Sequence, residues 1–351
     1  MILDGSAADS IAIAVERLRA GGLLGLPTET VYGLAADADN ATAVSEIFAV
    51  KGRPADHPLI VHVPDAASAL HFSSKVPEFA RQLMQAFWPG PLTLILHRRH
   101  DVAAAAAGGQ DSIGLRCPSH PVAQAVLKAC HETNAQAVGR ARSIWGLAAP
   151  SANQFGRVSP TTAQHVASEF DGSLLILDGG ACEVGIESTI IDCTRGAPVL
   201  LRPGAITLEQ VQGVCGQKVF LADEFVGAGV AQPRASGTLA SHYAPRAQVR
   251  LMGVRDMQAA LDLRANSPAR GNNAGPSLAI YARSVLNSRC TQVVMRRMPE
   301  DAVKTAQQLF AVLREFDQQG VKLIWIETPP DGAEWDGVRD RVQRAASDPA
   351  A

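Results

Sequence analysis

At 351 residues, with 47% hydrophobic and 19% charged side chains, the chain has the length of two domains and the apolar content of a globular protein, which excludes a disordered tether. Its formal net charge of -2 excludes a general phosphate-backbone surface, because such binding needs a clustered basic face. The six cysteines are scattered without a C-x-x-C spacing and read as reduced thiols; the Ala103 to Ala107 run is too short to span a bilayer and the first residues lack a signal-peptide pattern, so a cytoplasmic location is expected.

Ile11, Val15 and Leu18 recur at helical spacing behind a cap at Asp9 or Ser10, and Gly21-Gly22 ends that helix. The apolar run 22–26 reads as a buried strand. Pro27 stops its ladder and presents Thr28, Glu29 and Thr30 at the strand end, where α/β proteins place chemistry. Residues 40–50 form a short amphipathic helix. Pro54 then disfavours helix at Arg53, which predicts an extended Lys51-Gly52-Arg53 segment with both cations on one side, suited to an anion such as a triphosphate. Further along come a strand at 59–63, a helix at 77–87, a strand at 92–96 and an apolar strand ending at Arg116. Ser159-Pro160 reads as a cap and first-turn proline opening a helix to about Phe170.

Several strands end alike, at Leu26-Pro27, Val63-Pro64, Arg116-Cys117-Pro118, Pro150-Ser151 and Arg202-Pro203. If these ends meet at one rim, their polar residues line a single cleft. Residues 216–247 shift to Gly, Ala, Ser and Pro and read as a linker expected to close over the active site, dividing a domain at 1–215 from one at 248–351. In the latter, strands are expected at 249–252, 278–281, 293–295 and 323–326, with an amphipathic helix at 301–319 whose inner face carries Val303, Ala306, Phe310, Leu313 and Phe316. That alternation implies a small three-layer α/β domain, interrupted by a polar glycine-rich loop at 265–275.

Pro27-Thr28-Glu29-Thr30-Val31-Tyr32-Gly33-Leu34 and Lys51-Gly52-Arg53-Pro54-Ala55-Asp56-His57-Pro58 resemble motifs of the L-threonylcarbamoyladenylate synthases, the YrdC-type proteins. The resemblance continues through Phe87 to Thr93, Ile113 to Pro118, Ala149 to Asn153, Gly185 to Ile190 and Leu200 to Gly204. It implies a YrdC-like twisted-sheet catalytic domain and a smaller Rossmann-like C-terminal domain. The implied reaction joins L-threonine, bicarbonate and ATP, with Mg²⁺ carried by the nucleotide, to give threonylcarbamoyl-AMP and pyrophosphate for a downstream tRNA threonylcarbamoyl-transferase machinery. Positioning and stabilisation of developing charge dominate such chemistry.

By the same resemblance, Thr30, His62, Arg116, Ser151 and Ser188 contact threonine, and Lys51 and Arg53 carry the catalytic charge on the ATP phosphates. His57, Ser112, Asn153, Thr161, Arg202 and Tyr243 fall at nucleotide-contacting positions. Taken singly, Thr30 is a turn hydroxyl, His62 a satisfied strand histidine, Thr161 a helix-terminus residue and Tyr243 a staple between the linker and the second domain. The interval from Arg116 to Ser151 is longer than the family pattern and reads as a surface insertion. Mg²⁺ is expected through phosphates and water, since no carboxylate cluster suggests a protein-only metal site. Two rivals stand beside this reading: a carbamoyl-adenylate former for another acceptor, which the lack of an acylphosphatase-like or zinc-finger segment opposes, and a non-catalytic double-stranded RNA-binding protein, which the charge balance opposes.

Overall fold

Twelve strands among the described residues form the sheet of the first unit, and their boundaries follow the apolar runs. They are β1 (Ile2–Asp4), β2 (Leu24–Leu26), β3 (Gly33–Asp37), β4 (Ile60–His62), β5 (Ser73–Lys75), β6 (Leu92–Arg98), β7 (Ser112–Arg116), β8 (Leu147–Ala148), β9 (Leu175–Asp178), β10 (Thr189–Asp192), β11 (Val199–Arg202) and β12 (Phe220–Leu221). The order across the sheet is β1-β9-β2-β3-β8-β4-β7-β6-β10-β11-β12, with β5 paired to β6. The computed structural model describes residues 1–132, 143–170, 172–225, 232–238, 242–265, 276–289 and 292–347. It divides into one unit of Met1–Phe155 with Ser159–Thr238, and a second of Gly156–Val158 with Leu239–Ala351. Parts of three expected segments lie outside the described residues: 133–142 of the long interval, 226–231 and 239–241 of the linker, and 266–275 of the glycine-rich loop.

The helices of this unit are α1 (Ala8–Arg19), α2 (Ala41–Lys51), α3 (Ala66–Phe72), α4 (Glu78–Phe87), α5 (Pro121–His131), α6 (Ala163–Ala167) and α7 (Leu208–Cys215). One sheet face is covered by α2, α3, α4, α6 and α7, whose Val44, Ile47, Phe72, Leu83, Val166 and Val211 meet Leu34, Val61, Leu94 and Leu115 in the larger core. On the other face, α1 and α5 pack over β2, β3, β8 and β9 through Val15, Leu18, Val126 and Leu127. That second cluster takes nothing from β4, β6, β7 or β10 among the described residues. Their outer face is left for a site.

Three local expectations need correction. The first helix begins at Ala8 with Ala7 as its cap and no side-chain cap bond, so Asp9 lies in its first turn, where a carboxylate suits the helix dipole. The helix expected from Ser159-Pro160 begins at Ala163 instead, capped by Thr162, whose hydroxyl accepts the His165 N–H. Ser159 is spent elsewhere, donating to Glu187, while the Pro160 carbonyl accepts the Tyr32 N–H. Lys51 is not extended but closes α2, with Gly52 in the left-handed region at φ 60° as its C-cap. The proline effect reaches only the residue before it.

The second unit is a parallel sheet of β13 (Gln248–Met252), β14 (Leu278–Ala282), β15 (Val293–Arg297) and β16 (Leu323–Glu327), in the order β13-β16-β14-β15. Helix α8 (Val254–Ala265) sets Met257 and Leu261 against Leu278, Ile280 and Trp325. Helices α9 (Ala302–Gln318) and α10 (Asp336–Ala346) pack on each other, and α10 packs on β13. Ala306, Phe310, Leu313 and Phe316 are buried as expected, whereas Val303 lies at the margin of that stripe and is 70% exposed.

Candidate active site

The site grows from the register of β4, β7, β6 and β10. In β4 and β7, His62 pairs with Arg116 and Ile60 with Gly114, while Ile95 of β6 also meets Gly114. Because side chains alternate along a strand, Val61, Leu94 and Leu115 enter the helix-covered core and Ile60, His62, Thr93, Ser112 and Arg116 share the other face. Pro58, Ile60, Thr93, Ser112, Gly114 and Ile190 line a pocket there, completed by Arg234, Ala235 and Ser236.

At one end, the turn after Pro27 is wound about Thr28, whose hydroxyl accepts the N–H groups of Thr30 and Val31 and donates to the Val31 carbonyl at 2.6 Å. This turn delivers Thr30 to Arg116, which donates from Nη1 to Thr30 Oγ1 at 2.7 Å and from Nε to the Gly90 carbonyl at 3.3 Å. The second prong, Nη2, lies 2.7 Å from Glu29 Oε1. Arg116, Thr30 and Glu29 are all buried, as is His62 beside them. Burial, and then the Arg116 charge, hold His62 well below the ordinary histidine range, so it is a neutral imidazole.

Ser188 stands just before β10. Its hydroxyl lies 2.7 Å from Thr93 Oγ1, and Arg202 donates to its carbonyl through Nε at 3.0 Å and Nη2 at 2.9 Å. Gly204 permits this approach, since a Cβ there would sit 2.5 Å from the Thr189 nitrogen. Arg202 also donates from Nη1 to the Ser236 carbonyl at 2.8 Å, tying the 232–238 segment to the sheet.

Lys51, Ser151 and Asn153 come together differently from the expectation of an open cation. Lys51 is 2% exposed, and its ammonium donates to the Ser151 carbonyl at 2.6 Å and to the Asn153 carbonyl. Burial, with the Arg53 charge adding to it, pushes its pKa down to about 7. Arg53 donates to the Pro58 carbonyl at 3.0 Å, with its guanidinium 5.5 Å from the Phe155 ring. His57 meets the same ring edge-on at 5.5 Å, and burial followed by Arg53 lowers its pKa. Thr161 is buried with its hydroxyl 3.3 Å from His165 Nδ1, the placement of a residue ordering the start of α6. Tyr243 belongs to the second unit, buried at φ 61° against Phe310, with the Arg341 guanidinium 5.2 Å from its ring; this is the anchoring that its staple reading expects.

Sequence reasoning placed Glu29 at a chemical strand end without a specific task and gave no role to Thr93 or Phe155. Glu29 left a signal as a carboxylate just past an apolar strand stopped by Pro27, and Thr93 as a polar residue inside an apolar strand. Phe155 left none, since only folding brings it to Arg53. Among the described residues, no group of three or more His, Cys, Asp or Glu side chains gathers to hold a metal ion.

A buried cationic fork with a hydroxyl, on the sheet face whose pocket is lined by Thr93, Ser112, Gln110 and Arg234, is a donor-rich arrangement for a carboxylate and a polyanion. The Sua5, YciO and YrdC family model, described as telomere recombination, matches residues 16–204, and the model for the threonylcarbamoyl-AMP synthase C-terminal domain matches residues 206–347. The chain belongs to the threonylcarbamoyl-AMP synthase family. The threonylcarbamoyl-AMP synthase of Pyrococcus abyssi is 36% identical over 341 residues, covering 96% of this chain and 94% of that protein. That of Bacillus subtilis is 36% identical over 338 residues, covering 96% and 92%. The crystal structure of Pyrococcus abyssi Sua5 complexed with L-threonine superposes with a TM-score of 0.84 at 33% identity, covering 99% of this chain and 97% of that one. The synthase family therefore spans both units.

Proposed function

We propose that the chain forms threonylcarbamoyl-AMP and pyrophosphate from L-threonine, bicarbonate and ATP, and that the product serves a tRNA threonylcarbamoyl-transferase in the cytoplasm. The observation that carries this reading is the buried Arg116 fork beside Thr30 and His62, on the sheet face that also carries Ser112 and Thr93. Threonine docks its carboxylate on Arg116, with Thr30, His62, Ser151 and Ser188 around its remaining polar groups. ATP lies along Ser112, Asn153, Arg53, His57 and Arg202, with Thr161 as a further contact. Lys51 serves the nucleotide by fixing the Ser151–Asn153 turn, which its two carbonyl bonds support.

The threonine nitrogen bonds to the bicarbonate carbon, and water leaves. A carbamate oxygen then attacks the α-phosphate and expels pyrophosphate. The cations hold charge that accumulates on phosphate oxygens, an effect greatest where water is excluded. Mg²⁺ would be held by phosphate oxygens and water and would neutralise the triphosphate. Pyrophosphate release, measured with each substrate omitted in turn, is expected to need all three. Serine, lacking one methyl contact, should be poorer by about 1–3 kcal/mol in the transition state. Full release without threonine would sink the proposal, and activity on carbamoyl phosphate in place of threonine and bicarbonate would favour the carbamoyl-adenylate rival.

A further inference from the structure

Glu29 is a buried carboxylate to which the proposed reaction assigns no task. It is 4% exposed, and its position is fixed from behind, because its own carbonyl accepts the Val184 N–H at 2.8 Å. Its carboxylate faces Arg116 at 2.7 Å, but neither carboxylate oxygen and not Arg116 Nη2 makes an aligned hydrogen bond with a described group. On β4, paired in register with Arg116, His62 likewise has Nδ1 buried without a hydrogen bond. Buried polar groups are normally satisfied, so acceptors and a donor left open around one point mark where a ligand spends its own groups.

The signs of those groups define the ligand. An amino acid carries a carboxylate and an ammonium on one carbon, and Arg116 next to Glu29 offers the opposite charge to each. When a substrate carboxylate takes the Arg116 fork, Glu29 loses its counter-charge in a site that excludes water, and a buried carboxylate without a cation is strongly disfavoured. The substrate ammonium, with its three donors, supplies that cation. We infer that Glu29 receives the α-ammonium group of the substrate, so that Glu29 and Arg116 form a receptor for a zwitterion; this rests on reading the cluster as the threonine site. It explains why a strand end chosen to bind an acid also buries an acid.

Isothermal calorimetry with L-threonine and with (R)-3-hydroxybutanoate, which is threonine without its amino group, tests the inference. The wild-type chain should prefer threonine by about 10- to 100-fold, the worth of a charged hydrogen-bonded contact. Glu29→Gln should erase that preference by weakening threonine and by strengthening 3-hydroxybutanoate, which no longer leaves a carboxylate unpaired. Equal wild-type affinities, or a Gln variant that keeps the preference, overturn the inference. Should the Gln variant not fold, the wild-type chain still decides: threonine affinity must fall as pH rises past the ammonium pKa while that of 3-hydroxybutanoate stays flat, and two flat profiles overturn it. A wild-type chain that binds neither ligand refutes the proposed site itself, a different result from either.

Discussion

The two units end their parallel strands in opposite ways. In the first, the carboxyl ends of β4 and β7 carry His62 and Arg116, and with Glu29 they hold buried polar atoms whose hydrogen bonds are unmade. In the second, β14 passes to β15 on one side and β16 to α10, packed on β13, on the other, so a crevice opens between their carboxyl ends, the usual ligand position of an open α/β sheet. There Glu327, the last residue of β16, accepts the N–H groups of Arg283 at 2.7 Å and Ser284 at 2.8 Å, the Ser284 hydroxyl at 3.0 Å and the Arg283 guanidinium at 3.0 Å. The second unit fills its own crevice with a carboxylate. Both Glu327 oxygens are bonded there, whereas both Glu29 carboxylate oxygens are buried without a hydrogen bond.

The sharpest way to break that contrast is to empty the filled crevice. Glu327→Ala leaves two backbone donors and a guanidinium without their acceptor, and we expect a loss of about 3 kcal/mol of stability by urea denaturation. Pyrophosphate release below the melting transition should stay within about threefold of wild type. A large loss of turnover with little loss of stability would make Glu327 part of the chemistry and erase the distinction between the units.

The converse change, in the open site, is Arg116→Lys. An ammonium cannot donate two parallel bonds, so kcat/KM for threonine should fall about 10²-fold, or about 2.7 kcal/mol. Circular dichroism should show the fold retained. Near-normal kinetics would mean that the fork is structural like Glu327.

Lys51 stands between these cases, a residue expected at a site but bonded like one in a core. Lys51→Met removes the donor to the Ser151 and Asn153 carbonyls, and both melting temperature and turnover should fall, with a stability loss of about 2 kcal/mol. Lost turnover at unchanged stability would instead return Lys51 to direct phosphate contact.

Much of the site was legible because strand ends punctuated by proline carried polar residues that a core would not tolerate. Thr30, His62 and Arg116 gather at one place for that reason. What escaped was long-range. Ser159-Pro160 has the form of a helix cap, but Glu187, 28 residues further on, takes its hydroxyl. Strand β3, Gly33-Leu34-Ala35-Ala36-Asp37, has no β-branched residue and gave no period-2 signal, yet it is buried on every residue between its neighbours. The strand order β1-β9-β2-β3-β8 joins segments more than a hundred residues apart, which no local pattern encodes.

The smallest effect is also the cleanest reporter of the open site. His62 has its folded pKa held well below 6.5, by burial first and Arg116 second. The unfolded chain takes a proton on this residue near pH 6.5, while the folded chain refuses it until much lower pH. His62 therefore leaves stability whole above about pH 6.5, and stability falls with decreasing pH by at most about 1.4 kcal/mol per unit down to the folded pKa. His62→Asn removes this term, so the stability difference between wild type and variant, measured by urea denaturation, should shift against the wild type from pH 7 to pH 5, by at most about 2 kcal/mol. A difference that stays constant over that range would show His62 accepting a proton inside the fold, and the strand end of β4 would then have its bonds satisfied, like that of β16.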